Sequence, residues 1–488
     1  MSINRRIVKS LARAIAYSLL GSVIVLTGLY VYKLENRPEL KVWHLAKLDA
    51  EFRANQAAEI TTLDDYIRLE KRLFQQLKDK VYAGVDKPDR WLFNRYTTGS
   101  RTDPTSYSKN WNRTFELGQQ KAKAGIVLLH GLSDSPYSMR SLGQLLYKDG
   151  FHVVGLRIPG HGTTPSSLLD VKWQDFTAAV RIAVRRVREK IGPDRPLYIA
   201  GYSNGAALAV EYSLAVLEGE DLPAADGLVL LSPAIAVSPV AALAIWQARF
   251  SRITGLEKLA WNSITPEFDP YKYNSFPVNA GVQIYQLTQN IAARIDRLAG
   301  PNGVRGFPRT IAFQSVVDAT IPPAAVIDIL FMKLAPEGHQ LVLFDVNRNT
   351  ETVPLLKTDP GILMQRLFSE KLLPFDLTLV TNASMNSNAV VARQKPALTQ
   401  LSRDVALNLF WPPGLFSLAH VSIPFAQNDP VYGGQSNGEN GEAVTLGNVV
   451  IRGELNLLQI PDNYFLRLRY NPFFPYLSQR LLAFLKPR

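Results

Sequence analysis

A mostly parallel α/β sheet covered by helices on both faces is the fold class this sequence predicts, on three observations. Short apolar runs recur at Gly125–Leu129, His152–Leu156, Leu197–Ala200, Gly227–Leu231, Ile311–Val317, Leu341–Phe344 and Leu377–Val380. Helix-forming segments such as Phe176–Lys190 and Ala206–Leu217 lie between most of them. Strands with no alternation are buried on both faces, as parallel strands joined through helices are. The run at Leu197–Ala200 then opens into Gly201-Tyr202-Ser203-Asn204-Gly205, a turn of small residues between strand and helix. Sites in such sheets form at the carboxyl ends of the strands.

The 488 residues are 47% apolar and 20% charged, a composition that folds. Their number fits one or two units, since α/β enzymes with insertions run long. Cysteine is absent, which excludes disulfides, thiolate metal sites and cysteine nucleophiles. The net charge of +12 would suit nucleic acid or an anionic membrane. The densest basic stretch, however, is Arg181, Arg185, Arg186, Arg188 and Lys190 on one predicted helix, which reads as a solvated face, so no nucleic-acid partner is expected. No metal or cofactor is expected either: Asp429, Glu439 and Glu442, in a Gly- and Asn-rich loop, lack the spacing of a calcium loop.

Residues 1–33 read as an uncleaved transmembrane anchor. The uncharged stretch Ala14–Tyr32 has 19 residues, enough as a helix for a hydrocarbon core of about 30 Å. Tyr17, Tyr30, Tyr32 and Trp43 lie near its ends, where amphipathic rings prefer the interface. A secretory signal would have a shorter apolar core and a small-x-small cleavage site. Arg5, Arg6, Lys9 and Arg13 precede the span, and Lys33, Arg37, Lys41 and Lys47 follow it. The compact leading cluster favours a cytoplasmic N-terminus and a periplasmic or extracellular body. Residues 34–120 read as an extension with an amphipathic helix near Leu63–Leu77, and residues 121–488 as the main domain.

Gly201–Gly205 places Ser203 where a nucleophile elbow needs it, between a strand and the positive end of a helix. A serine nucleophile needs a base, and the base an orienting acid. In the chain order Ser, acid, His, only His339 and His420 follow Ser203. His339 precedes the Leu341–Phe344 run and so falls at the wrong edge of the sheet, which leaves His420 as the base. Asp318 ends the Ile311–Val317 run at the carboxyl edge; Asp345 is its rival, while Asp376 precedes a strand. The oxyanion donors are then the backbone N–H of Asn204 and that of Leu132, with Ser133 as the alternative to Leu132, and His130 packs this turn.

His130-Gly131-Leu132, Pro159-Gly160-His161-Gly162, Trp173-x-Asp175-Phe176, Gly201-x-Ser203-x-Gly205, Ser232-Pro233 and Val317-Asp318-x-x-Ile321-Pro322 resemble the α/β-hydrolase superfamily, in its monoacylglycerol lipase and serine aminopeptidase-like branch. The resemblance covers about 123–235 and 309–335. It implies an eight-stranded core with a lid inserted at about 236–305, where Val237–Trp246 and Leu256–Trp261 are apolar enough to cover an acyl chain. The 101 residues between Asp318 and His420 exceed the family's usual spacing, so an insertion is expected at about 345–415. The expected activity is a membrane-anchored serine hydrolase of lipid-like esters. A peptidase or thioesterase of the same fold, or a catalytically idle interaction module, is the alternative.

Overall fold

A computed structural model describes residues 5–237, 257–349, 355–357, 359–434, 445–447, 452–455, 457–459 and 466–486, with the side chains of the first helix described in part. Its centre is one sheet of ten strands. In chain order these are β1 (Phe115–Leu117), β2 (Ala124–Leu129), β3 (Phe151–Leu156), β4 (Leu197–Tyr202), β5 (Gly227–Leu231), β6 (Arg309–Ser315), β7 (His339–Phe344), β8 (Phe375–Asn382), β9 (Ala389–Lys395) and β10 (Arg403–Phe410). They lie side by side as β1-β3-β2-β4-β5-β6-β7-β8-β9-β10. Strands β2 to β8 are mutually parallel, and β1, β9 and β10 pair antiparallel at the two edges.

The eight strands implied by the resemblance are thus corrected to ten. The segment 345–415 supplies β8, β9 and β10 and extends the sheet at one edge. β2 to β5 are buried at every position, which is why they read as apolar runs. β9 instead alternates, burying Val390 and Ala392 between more exposed neighbours, and β10 is largely exposed. An antiparallel edge with one wet face leaves no continuous apolar run to find.

Among the described residues the helices longer than two turns are α1 (Arg5–Glu35), α2 (Leu63–Leu77), α3 (Arg140–Lys148), α4 (Trp173–Ile191), α5 (Asn204–Leu217), α6 (Val278–Leu298), α7 (Gly361–Ser369) and α8 (Phe474–Phe484). One core cluster joins α4, α5 and α6 to one face of the sheet, and a second joins α3, α8 and residues 411–432 to the other. Of the region read as a lid, residues 238–256 lie outside the described residues. The remainder carries a small strand pair, Trp261–Ser263 with Phe276–Pro277, and α6, whose Leu287, Ile291 and Ile295 belong to the core. Residues 435–444 of the Gly- and Asn-rich loop also lie outside the described residues.

The extension 34–120 is built into the domain. Thr62 caps α2, receiving the Asp65 N–H at 3.1 Å while the Asp65 carboxylate receives the Thr62 N–H. Tyr66 and Leu69 of α2 pack in the main core. Just after β3, buried Arg157 binds Glu51 at 2.9 Å and Glu70 at 3.2 Å, so one guanidinium holds these two buried carboxylates of the extension. Removing one partner of such a buried group costs several kcal/mol, about 3–5.

The stretch Ala14–Tyr32 lies within α1. Among the described residues no helix is long and apolar enough to cross a membrane, so the fold comprises a helix there and not an established span. Trp43, expected at a membrane interface, is instead buried and stacks on Tyr96 with ring centroids 5.5 Å apart. His44 beside it bonds Ser275 at 2.9 Å. The basic face of α4 is largely engaged: Arg181 pairs with Glu211 and Glu220, Arg186 with Glu116 and Asp64, and Arg188 donates to the carbonyls of Gly192, Pro193 and Arg195.

Candidate active site

Ser203 stands between β4 and α5 with φ 53° and ψ −115°, a left-handed conformation that non-glycine residues seldom adopt. Such strain costs about 1–3 kcal/mol and persists only where the surroundings enforce it. Here the Ser203 N–H donates to Leu231 O at 2.9 Å, and Ser203 O receives the N–H groups of Ala206 and Ala234 at 3.0 and 3.2 Å. The flanking glycines are obligatory. A Cβ on Gly201 would sit 2.3 Å from Gly205 C, and one on Gly205 would sit 2.2 Å from Leu129 O. The turn thereby lifts Ser203, half-buried among fully buried neighbours, out of the carboxyl edge.

His420 arrives from a different part of the chain, in a single 3₁₀ turn, His420–Ser422. Its Nε2 lies 3.0 Å from Ser203 Oγ and its Nδ1 lies 2.7 Å from Asp318 Oδ2. A carboxylate partner makes Nδ1 the donor, which leaves the Nε2 lone pair facing the serine hydroxyl. Asp318 is fixed by four donors: His420 and Gln314 Nε2 (2.9 Å) on Oδ2, and the N–H groups of Thr320 and Ile321 (2.9 and 2.8 Å) on Oδ1. β6 ends at Ser315, so Asp318 sits on the following turn and not directly on the strand end. Ser315 Oγ also donates to Leu418 O at 2.9 Å, tying the histidine loop to β6.

The rivals lie elsewhere. Asp345 is buried in a network of its own, gripped by Arg348 at 3.0 Å through both Nε and Nη2 and by Thr381 Oγ1 at 2.8 Å. His339 opens β7 at its amino end, beside Phe307, and burial pushes its imidazole down to about 4. Asp376, near the amino end of β8, receives the Ala397 N–H.

The turn after β2 closes on the serine. A Cβ on Gly131 would lie 3.4 Å from Ser203 Cβ and 2.9 Å from the Tyr202 ring, so the backbone around Leu132 runs against the nucleophile. Leu132 is half-buried and Ser133 has φ 59°. Asn204 is the first residue of α5, where backbone N–H groups have no partner within the helix. His130 packs the turn, donating from Nδ1 to Gly131 O at 2.8 Å and receiving the Ile158 N–H on Nε2 at 3.0 Å; burial, with His161 nearby, holds it well below the usual imidazole range.

Two supporting residues escaped the sequence. Gln314 is a polar residue inside the apolar run of β6, and that anomaly was its signal. Glu454 carries none: it lies 34 positions from His420, in a stretch without periodicity, yet its Oε2 receives the His420 N–H at 2.8 Å and its Oε1 pairs with Arg467 at 2.8 Å.

Parts of the chain are similar to known proteins. The hydrolase family described as serine aminopeptidase, S33, matches residues 120–301. The chain is 23% identical over 247 residues to a thermostable monoacylglycerol lipase of Bacillus sp. (strain H-257), covering 51% of this chain and 90% of that protein. It is 25% identical over 168 residues to phospholipase YtpA of Bacillus subtilis (strain 168), covering 34% of this chain and 56% of that protein, so it spans about half of that second relative. The crystal structure of Paleococcus ferrophilus monoacylglycerol lipase aligns with a TM-score of 0.37 and 19% identity, over 48% of this chain and 88% of that one. These similarities lie on the monoacylglycerol lipase and serine aminopeptidase-like branch of the α/β-hydrolases, the branch that the motifs resemble.

Proposed function

We propose that the chain is a serine hydrolase that cleaves carboxylic esters of lipid-like substrates through an acyl-enzyme. The observation that carries this reading is the hydrogen-bonded series Ser203, His420, Asp318, at 3.0 and 2.7 Å, on a backbone strained at the serine. Ser203 Oγ attacks the ester carbonyl as His420 Nε2 takes its proton. Asp318 holds Nδ1–H and stabilises the imidazolium. The N–H groups of Leu132 and Asn204 receive the oxyanion. His420 then protonates the leaving alcohol, and a water activated by the same nitrogen releases the acid.

Lipid-like substrates are supported by the relatives named as a monoacylglycerol lipase and a phospholipase. Attachment to a membrane through α1 is supported by the exposed side chains of Ile15, Tyr17, Leu19, Leu20, Ile24 and Val25 along it. The test is covalent labelling by a fluorophosphonate together with hydrolysis of p-nitrophenyl esters from acetyl to octanoyl. Labelling that vanishes in Ser203→Ala, with turnover rising along the series, is expected. Labelling that survives the substitution overturns the nucleophile, and a flat or falling series overturns the lipid-like substrate.

A further inference from the structure

A short piece of chain near the C-terminus reaches the site from outside the stretch 120–301 that the family matches. Arg452–Gly453 pairs in parallel with Leu466–Arg467, and the Leu468 N–H returns to Gly453 O at 3.0 Å. This small ladder is pressed against the segment that carries the base. A Cβ on Gly453 would lie 2.1 Å from the Phe416 ring, and the Glu454 N–H donates to Ser417 Oγ at 2.9 Å. The ladder therefore has a fixed place beside His420.

Arg467 joins two turns that the chain itself leaves far apart. Its Nη2 donates to Thr320 Oγ1 at 2.6 Å and to Glu454 Oε2 at 3.1 Å, and its Nε lies 2.8 Å from Glu454 Oε1. The Thr320 N–H is one of the donors that fix Asp318, and Glu454 Oε2 receives the His420 N–H. One guanidinium is thus linked through Thr320 to the acid and through Glu454 to the base. Its charge also answers the buried carboxylate of Glu454, which would be costly to leave alone. A planar fork of donors spans two acceptors at once, which the single ammonium of a lysine does not match.

The topology gives this brace its purpose. Strands β7 to β10 lie within the 101 residues between Asp318 and His420, so no short connection holds the base against the acid. The bond from Ser315 Oγ to Leu418 O fixes the backbone ahead of the histidine, whereas Arg467 acts on the turn after Asp318 and on the histidine's own N–H through Glu454.

We infer that Arg467 is a positioning residue of the reaction: by holding Thr320 and Glu454 together it sets the separation of Asp318 and His420. The inference rests on the ester-hydrolase reading above and assigns a further residue to that site. A displacement of about 1 Å at reacting groups can cost about a hundredfold in rate. Arg467 acts on the acid and base and not on the ester, so its effect belongs in kcat and not in KM.

The test is steady-state turnover of p-nitrophenyl butyrate by the full-length chain, with the thermal midpoint of each variant recorded. Arg467→Lys keeps the charge opposite Glu454 and loses the fork; it should lower kcat about tenfold with KM within about twofold of wild type. Thr320→Val, at an exposed residue, leaves the Arg467–Glu454 pair intact and should lower kcat about fivefold, while Thr320→Ser, which keeps the hydroxyl, should stay near wild type. The two substitutions combined should fall no further than Arg467→Lys alone, because both cut the same link. Should Arg467→Lys fail to fold, the Thr320 pair carries the test. Wild-type kcat in Arg467→Lys and Thr320→Val with only the thermal midpoint lowered overturns the inference and leaves Arg467 a stabilising role. So does a rise in KM at unchanged kcat, a loss in Thr320→Ser equal to that in Thr320→Val, or multiplication of the two effects. A wild-type chain without turnover or fluorophosphonate labelling instead removes the ester-hydrolase reading itself, so the two failures are distinguishable.

Discussion

Glu454 Oε2 receives the backbone N–H of His420 at 2.8 Å, so the base of the site is held at its main chain by a carboxylate as well as at its ring. Hydrogen bonds to charged groups are worth about 1.5–3 kcal/mol. Glu454→Ala is therefore expected to lower kcat about tenfold or more, while Glu454→Gln, which keeps an acceptor, falls less. Equal kcat values for wild type and Glu454→Ala would show that the loop holds His420 unaided.

Asp318→Asn should lower kcat by about four orders of magnitude, as mis-setting the imidazole tautomer does in serine proteases. Asp345→Asn should lower the thermal midpoint instead, since Arg348 and Thr381 depend on it, and should leave turnover of the folded protein near that of wild type. Steady-state kinetics and thermal unfolding on the two variants check the assignment, and a reversed pattern contradicts it.

At the elbow, Gly205→Ala forces a Cβ to within 2.2 Å of Leu129 O, backbone that cannot retreat without moving β2. A drop in thermal midpoint corresponding to several kcal/mol, or failure to fold, is expected, whereas Ser203→Ala should remain folded with no turnover. Circular dichroism melts of both variants provide the comparison.

The pH dependence of stability has a specific contribution at His44. Burial, with Lys41 nearby, pushes its imidazole down to about 4, and its Nδ1 receives the Lys41 N–H at 2.9 Å. The folded value lies below the unfolded one of about 6.5, so the unfolded chain binds the extra proton between them. Stability from this group is present above about 6.5 and is lost as the pH falls towards 4. His44→Gln should therefore show a shallower fall in thermal midpoint across that window; an unchanged slope would assign the acid sensitivity to other buried histidines such as His161.

Removal of residues 1–33 tests the membrane reading. Turnover of p-nitrophenyl butyrate should persist, because Arg37 and its contacts remain, while hydrolysis of an ester embedded in vesicles should fall several-fold. Equal vesicle rates for the two forms would contradict anchoring through α1.

What the sequence revealed follows from how locally each feature is determined. The elbow is a five-residue turn fixed by two glycines, and β2 to β5 are buried on both faces, so both are written in consecutive residues. His420 emerged only by elimination, because no periodic signal marks the turn that carries it. The grip of Glu454, the Arg157 pairing with Glu51 and Glu70, and the edge strands β9 and β10 depend on partners tens of residues away or on half-wet alternation. The interfacial role expected of Trp43 failed for a related reason: an aromatic after an apolar helix looks the same in sequence whether lipid or Tyr96 receives it.

Arg37 donates to Lys258 O and Trp261 O only two residues after α1 ends, and Asn36 between them turns back to Tyr32 O at 2.9 Å. The slack between helix and body is thus one residue, about 3.5 Å of chain even if fully extended. For an enzyme anchored through α1, such a leash cannot reach a second membrane or a passing micelle. Its substrates would arrive by lateral diffusion in its own bilayer, and its rate would follow the mole fraction of ester in that bilayer, falling as inert lipid dilutes the surface at constant bulk concentration.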